Sequence, residues 1–228
     1  MSIAQNLQSV LAELPAQTRL VAVSKTKSVD EIMEAYQAGQ RIFGENKVQE
    51  LVPKYNQLPK DIEWHLVGHL QSNKVKYIAS FVHYIHSVDS LAILIEIDKQ
   101  AKRSNRVISC LLQIHVAEEQ TKFGLGEAEV FALIDSPTFR VLDHVRVVGL
   151  MGMATNTDDE AKIRSEFRSL ATIFKKLKAE RFADDPDFKE LSMGMSDDYH
   201  IAMEEGSTLV RVGSKVFGER DYGELPPL

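Results

Sequence analysis

Short apolar runs rich in β-branched residues recur along the chain, and segments with the apolar spacing of helices separate them. These runs predict strands at residues 19–24, 41–45, 63–68, 82–88, 108–116, 144–153, 189–196 and 208–218. The clearest helical segment begins near residue 158, where apolar residues four and three apart form one stripe, at Ile163, Phe167, Leu170, Phe174 and Leu177. An amphipathic segment, MSIAQNLQSVLAEL, predicts a further helix before the first strand.

The alternation of strands and helices determines the predicted fold class. Strands that are joined by helices pair in parallel. The repeated unit predicts an α/β protein with a single (β/α)8 TIM barrel over residues 1–228, preceded by the extra N-terminal helix. A doubly wound open sheet is the alternative arrangement of the same units.

Composition excludes several classes of partner. The chain has 228 residues, a net charge of −6 and a single cysteine. It has no broad basic region for binding nucleic acid or an anionic membrane. No apolar run approaches the roughly 20 residues that span a bilayer. Cys110 lies in an apolar run, so we expect a buried thiol, no disulfide and, with no recognisable signal peptide, a cytoplasmic location.

The first strand ends in a lysine that is a candidate reactive group. In LVAVSKTKS, a period of two places Val21, Val23 and Lys25 on one face of the strand. A lysine that continues an apolar face is partly desolvated, which lowers its pKa and allows the amine to form a Schiff base with a carbonyl. The alternative is a solvated lysine at the end of a strand.

Polar residues lie towards the carboxyl ends of three other predicted strands or just after them, at the edge where barrels place their active groups. Asn46 is a candidate ligand at the mouth of the barrel, and it could at the same time be a helix N-cap with Gln49 as its partner. Ser196, with the amides of the helix that follows, could form an anion site, or it could be a plain N-cap. The Gly213–Ser214 pair offers backbone amides and a hydroxyl in the next loop, where barrels commonly bind phosphate.

Two further sets of residues have alternative interpretations. Arg211 either points from the last strand towards the mouth or forms a surface ion pair. His65 and His69 are four residues apart, but no third ligand and no HExxH pattern accompany them. We therefore expect no metal site, and we interpret His65 as a hydrogen-bonded histidine of the core or rim. Cys110 has no visible base partner and is expected in the core.

Several motifs follow one another along the chain: AVSKTKS, FGENKVQE, WHLVGHLQSNK, HSVDS, TKFGL, GLMGM, LSMGMSDD and VRVGSKVFGERDY. Together they resemble the motifs of the pyridoxal phosphate homeostasis proteins. The resemblance extends from about Leu20 to Tyr222. It implies a barrel like the N-terminal domain of alanine racemase, with pyridoxal 5′-phosphate (PLP) bound as a Schiff base to the lysine of the VSK motif, Lys25.

The resemblance also implies how the rest of the cofactor is held. The phosphate would be bound by Ser196, in SMGMS, and by the loop that contains Gly213 and Ser214. Arg211 would lie near the pyridine nitrogen. An arginine there keeps this nitrogen unprotonated, which weakens the cofactor as an electron sink.

Asparagine and lysine positions complete the implied site. Asn46 is expected beside the ring or its 3′-oxygen. Lys27 and Lys122 match family lysines that are thought to handle or transfer the cofactor. Lys215 replaces a small residue of the family, so it either adds positive charge near the phosphate or faces solvent.

Three functions are compatible with a reactive Lys25. The resemblance implies a monomeric, non-catalytic carrier for intracellular PLP homeostasis that delivers PLP to apo-enzymes. A PLP-dependent racemase-like enzyme is the first alternative, but racemases of this fold need a tyrosine from a separate β domain, and we expect no such domain after the last predicted strand. The second alternative is a phosphosugar aldolase with Lys25 as its Schiff-base lysine.

Overall fold

The structure, a computed structural model, describes residues 2–117 and 123–218. Within these ranges, parallel strands form a closed barrel in which each strand pairs with the next and the last closes against the first. The strands are β1 (Arg19–Val23), β2 (Ile42–Glu45), β3 (Glu63–Leu66), β4 (Tyr84–Val88), β5 (Ile108–Gln113), β6 (Val145–Met151), β7 (Glu190–Ser192) and β8 (Leu209–Val212). The predicted TIM barrel is confirmed, and the open sheet is wrong.

Helices cover the outside of the barrel. They are α1 (Ile3–Glu13), α2 (Val29–Gln37), α3 (Val48–Gln57), α4 (Leu91–Arg103), α5 (Glu127–Asp135), α6 (Glu160–Glu180), α7 (Tyr199–Glu204) and α8 (Ser214–Phe217). The segment between β3 and β4, predicted as a helix, forms a 3₁₀ helix at Ser72–Tyr77, and a second one lies at Phe139–Val141. In the described parts of the chain, no helix is long and apolar enough to cross a membrane.

Local sequence signals explain where several helices begin. Ser28 caps α2, and Glu31 returns a hydrogen bond to the backbone of Ser28, which completes a capping box. Asp159 caps α6 through the amide of Lys162. The predicted apolar stripe of α6 packs against the sheet, with Phe167, Leu170 and Leu177 fully buried.

The last two strands are shorter than their apolar runs suggest. β7 ends at Ser192, and at Gly194 the backbone adopts φ +93°, where a Cβ atom would lie 2.6 Å from the Cβ of Ala202. Glycine has no Cβ atom and adopts a positive φ without strain, so Gly194 allows the chain to turn away from the sheet at this point. The predicted strand 208–218 ends at Val212, because Ser214–Phe217 forms the short helix α8.

The core has two layers, as expected of a barrel. An inner cluster of Val21, Leu111, Val148, Met151 and Leu209 fills the barrel. A larger layer between strands and helices includes Phe43, Trp64 and Phe167 and contains Cys110. Cys110 is fully buried, as predicted, and burial raises the pKa of its thiol.

Candidate functional site

A cavity of about 330 Å³ opens at the carboxyl ends of the strands. Its lining brings together the site residues predicted from the sequence that lie in the described ranges: Lys25, Lys27, Asn46, Ser196, Arg211, Gly213 and Ser214. These residues come from the segments after β1, β2 and β7 and from β8 with its loop. Lys122, the other candidate lysine, lies outside the described residues.

A tight turn positions Lys25 immediately after β1. The amide of Lys27 donates to the carbonyl of Ser24 at 3.0 Å, which closes the turn around Lys25. Thr26 has φ +65°, a left-handed conformation that costs a non-glycine residue roughly 1–2 kcal/mol. The Thr26 amide donates to Glu50 Oε2 of α3 at 2.8 Å. This bond helps to hold the strained turn, in which Lys25 is half-buried and lines the cavity.

Lys27 lines the same cavity but is tied to α8. Its Nζ donates to the carbonyl of Phe217 at 3.1 Å and lies 3.2 Å from Glu31 Oε1. The side chain is only 10% exposed. A cation at the last carbonyls of a helix stabilises that end, so Lys27 has a structural role beside α8.

Ser196 connects the loops after β7 and β8. Its Oγ accepts a hydrogen bond from the backbone N of Gly213 at 3.2 Å. The N-cap interpretation of Ser196 is wrong, because α7 begins at Tyr199 and its N-cap is Asp198. Since the serine oxygen accepts in this bond, its hydroxyl hydrogen can donate to an anion in the cavity.

Asn46 lies just after β2, against the loop that follows β3. A Cβ atom on Gly68 would come within 2.8 Å of Asn46 Cα, so this approach of the two loops requires glycine. The N-cap interpretation of Asn46 is wrong as well, because the N-cap of α3 is Lys47 and makes no side-chain cap bond. Asn46 lines the cavity and does not cap a helix.

Arg211 is buried at the base of the cavity, with 5% of its surface exposed. Its Nη1 donates to Ser192 Oγ at 2.7 Å, and its Nη2 donates to the carbonyl of Gly152 at 3.1 Å. Burial lowers the pKa of Arg211 to about 10, partly offset by the charge of Asp198. The surface ion pair considered for Arg211 is wrong.

Behind Arg211, polar side chains inside the barrel form a row that sequence reasoning missed. Ser192 contacts His86, His86 contacts His65, and His65 contacts Glu63. The interpretation of His65 as a hydrogen-bonded core histidine is confirmed, but Glu63, His86 and Ser192 received no role. The sequence contained one signal for this row: alternate residues of a strand share a face, which places Glu63 with His65 on one face of β3.

The remaining candidates lie apart from the cavity. Among the residues described, no group of three or more His, Cys, Asp or Glu side chains has an arrangement that could hold a metal ion. His69 is 47% exposed and stacks on Phe123 with ring centroids 4.6 Å apart. The ammonium of Lys215 lies 4.7 Å from the ring centroid of Tyr199, which is within cation–π range.

The closed parallel barrel and the lysine-containing cavity at its mouth agree with the sequence comparison. The chain belongs to the family of the alanine racemase N-terminal domain, whose model matches residues 1–221. It is 38% identical to the pyridoxal phosphate homeostasis protein of Vibrio alginolyticus, over 97% of this chain and 99% of the relative. Identity to the human protein of that name is 38%, over 94% of this chain and 81% of the relative. The resemblance found in the motifs is confirmed.

Solved structures give the same result. PipY from Synechococcus elongatus without PLP superimposes with a TM-score of 0.88 at 38% identity, over 95% of this chain and 100% of that chain. The structure of PipY with PLP bound gives a TM-score of 0.85. Alanine racemase from Bartonella henselae gives 0.72 at 19% identity, over 99% of this chain but 61% of its own, and shares the fold.

Proposed function

We propose that this protein holds PLP as a Schiff base on Lys25 and supplies it to apo-enzymes, without catalysing a reaction of its own. The observation that carries the proposal is the convergence of Lys25, Ser196 and Arg211 on one cavity. These residues offer an amine, a hydroxyl and a guanidinium. They complement the aldehyde, the phosphate and the pyridine nitrogen of PLP.

The cavity fits a ligand of this kind. Its volume of about 330 Å³ is within the range of roughly 300–1,000 Å³ for small-molecule sites. Ser196 and Ser214 line one side with hydroxyls. Hydrogen bonds from such hydroxyl donors to an anion are stronger than those between neutral groups. Asn46, on another wall of the cavity, would contact the ring or its 3′-oxygen.

The residue expected at the pyridine nitrogen favours storage over catalysis. When bound, PLP can act as an electron sink for carbanions, and it does so best with a protonated ring nitrogen. Arg211 is a donor without acceptor capacity, so it keeps that nitrogen unprotonated. Its bonds to Ser192 and to Gly152 fix it in this role.

The relatives support a carrier more than a racemase. Those that match over nearly their whole length are named pyridoxal phosphate homeostasis proteins. The alanine racemases match over about 60% of their chains and at low identity, which supports a shared fold. An amino-acid racemase remains the alternative, because Lys25 lines a cavity in that same fold.

Location and assembly complete the proposal. We place the protein in the cytoplasm, since its cysteine is a buried thiol within the core and PLP-dependent apo-enzymes would be its recipients. We also propose that it acts as a monomer and binds no nucleic acid, in keeping with the net charge of −6. Light scattering of the purified protein measures its assembly state.

A transfer experiment separates the functions. The protein is loaded with PLP, freed of excess and mixed with an apo-enzyme whose activity requires PLP, while a parallel sample receives L-alanine in deuterium oxide. We expect recovery of the apo-enzyme's activity and no deuterium at the α-carbon of alanine. The Lys25→Ala variant is the control. Deuterium incorporation that depends on Lys25 would establish the racemase-like alternative instead.

A further inference from the structure

A continuous row of hydrogen-bonded side chains crosses the barrel interior from the cavity to the opposite end. Arg211 Nη1 is 2.7 Å from Ser192 Oγ, and Ser192 Oγ is 2.9 Å from His86 Nδ1. His86 Nε2 is 2.9 Å from His65 Nδ1. His65 Nε2 is 2.9 Å from Glu63 Oε1. We call these five residues the interior chain.

The interior chain is sealed between its ends. His65, His86 and Ser192 are fully buried, and Arg211 has 5% of its surface exposed. Glu63 is the first residue of β3 at the amino end of the barrel, with a side chain 30% exposed. The interior chain thus joins a partly solvated carboxylate at one end of the barrel to the cavity at the other.

The protonation states of Glu63 and His65 determine the hydrogen bond at the carboxylate end of the interior chain. The hydrogen bond from His65 lowers the pKa of Glu63, and Arg19 Nη1 lies 3.8 Å from its Oε1. Glu63 is therefore ionised and can only accept. Burial lowers the pKa of His65, so its imidazole is neutral and carries one proton. That proton must be on Nε2, which leaves Nδ1 as an acceptor.

The same reasoning continues to the cavity. His86 must donate from Nε2 to the acceptor of His65. Burial lowers the pKa of His86 well below its usual value, so its Nδ1 carries no proton and accepts from the hydroxyl of Ser192. The Ser192 oxygen in turn accepts from Arg211. Every hydrogen bond then points from Arg211 towards Glu63.

The opposite direction is incompatible with both ends. It requires a protonated Glu63 that donates to His65. It also aims two donors, from Arg211 and His86, at the oxygen of Ser192 and leaves the serine hydrogen without an acceptor in the chain. A buried donor without an acceptor destabilises the folded protein, because its hydrogen bond to water is lost and not replaced. Bonds aligned in one direction instead strengthen each other, by roughly 10–30% per bond.

From this geometry we infer that Glu63 sets the direction of the interior chain and so acts, from the far end of the barrel, as a positioning residue for Arg211 at the cavity. Ser192, His86 and His65 transmit the effect. The bonds to Ser192 and to Gly152 hold the guanidinium of Arg211 in one orientation. Because the group is planar and rigid, this orientation also determines where its remaining N–H groups point. As far as it concerns PLP, the inference rests on the proposed function. The interior chain itself does not depend on PLP.

The direction of the chain can be measured on the PLP-free protein. Nitrogen-15 NMR of labelled histidine distinguishes the Nε2–H tautomer, the Nδ1–H tautomer and the imidazolium, and His65→Gln and His86→Gln assign the signals. We expect both residues as neutral Nε2–H tautomers at pH 7.5. An Nδ1–H tautomer or a charged ring at either position overturns the inference.

A double-mutant cycle tests whether Glu63 acts through the chain. The readout is the side-chain Nε–H signal of Arg211 in the PLP-free protein, assigned with Arg211→Lys. We expect Glu63→Met and Ser192→Ala each to shift this signal and speed its exchange with water, and the double variant to match Ser192→Ala alone. If Glu63→Met adds its full effect to Ser192→Ala, the coupling passes through space and the inference fails.

A matched control and a PLP measurement complete the test. Glu190→Gln removes another carboxylate at the same end of the barrel, one that bonds to Arg19 and Thr208 instead of the interior chain. It is expected to leave the Arg211 signal in place. Glu63→Met is expected to raise the PLP dissociation constant several-fold and Glu190→Gln to leave it unchanged. A wild-type protein that binds no PLP would refute the proposed function, whereas the histidine tautomers would still decide the inference.

Discussion

The Oγ of Ser196 accepts a hydrogen bond from the backbone N of Gly213 at 3.2 Å. This bond joins the loop after β7 to the loop after β8 across the mouth of the barrel. It orients the serine hydroxyl so that its hydrogen is available to the cavity. In the proposed function, the two loops hold the phosphate of PLP together.

Ser196→Ala is therefore expected to weaken PLP retention without unfolding the barrel. A hydrogen bond to a charged group contributes about 1.5–3 kcal/mol, which corresponds to a roughly 10- to 150-fold rise in the dissociation constant. The constant can be measured by titration of the PLP-free variant with PLP. Ser90→Ala, which removes the cap of α4 away from the cavity, is the matched control. Equal affinities of the two variants would show that Ser196 does not contact PLP.

Lys27 and Lys25 are expected to respond differently to substitution, although both line the cavity. Lys27→Met removes the bond to the carbonyl of Phe217 and the ion pair with Glu31. We expect it to lower the free energy of unfolding by about 1–2 kcal/mol and to retain covalently bound PLP. Urea denaturation measures the first effect, with exposed Lys175→Met as control. Loss of covalent PLP in Lys27→Met, with an unchanged free energy of unfolding, would contradict the structural role assigned to Lys27.

The outline of the fold was predictable because hydrophobic periodicity reports burial. Each predicted strand contains an observed one, and four of the five residues in the apolar stripe of α6 are buried, with Phe174 half-buried. The ends of the last strands were not predictable in the same way. The run TLVRVGSKVFG remains apolar beyond Val212, but the chain leaves the sheet and forms α8. Apolar residues beyond a strand can be buried by a helix just as well.

Much of the site was predictable because its residues lie at the carboxyl ends of strands, as Arg211 does in β8, or in the loops that follow. Lys25, Ser196 and Gly213 belong to such loops, and the structure brings them to one cavity. The interior chain as a whole was not predictable from the sequence, because Glu63 and Ser192 lie within strands. Each of them, taken alone, resembles an ordinary polar residue of a strand. Their relationship depends on register across the barrel, which pairs Gly44 with His65 and His65 with Tyr84. A single sequence does not contain that information.

Buried neutral histidines make stability depend on pH. Burial lowers the pKa of His65 and that of His86, whereas unfolding returns both to about 6.5. Below pH 6.5 the unfolded chain binds protons that the folded protein excludes. Stability is therefore full above pH 6.5 and falls as the pH drops towards the lowered folded pKa values, by up to about 1.4 kcal/mol per pH unit for each histidine. Glu63 contributes only at lower pH, because the pKa of this carboxyl is lowered from an already acidic value.

The pH effect can be isolated with one substitution. His86→Gln cannot titrate but can still accept and donate in the interior chain. We expect the fall in urea midpoint between pH 7.5 and 5.5 to be smaller in His86→Gln than in the wild type. The raised pKa of Glu45 acts in the opposite direction in both proteins and cancels in the difference. Parallel curves for the two proteins would show that His86 is not buried in its neutral form.

The most direct measurement is the location of the covalent bond. The PLP-loaded protein is reduced with borohydride, digested and analysed by mass spectrometry. We predict a pyridoxyl group on Lys25, with the Lys25→Ala variant folded but unmodified. A pyridoxyl group on Lys27 or any other lysine, or no modification of the loaded wild-type protein, would contradict the assignment of Lys25 as the covalent anchor.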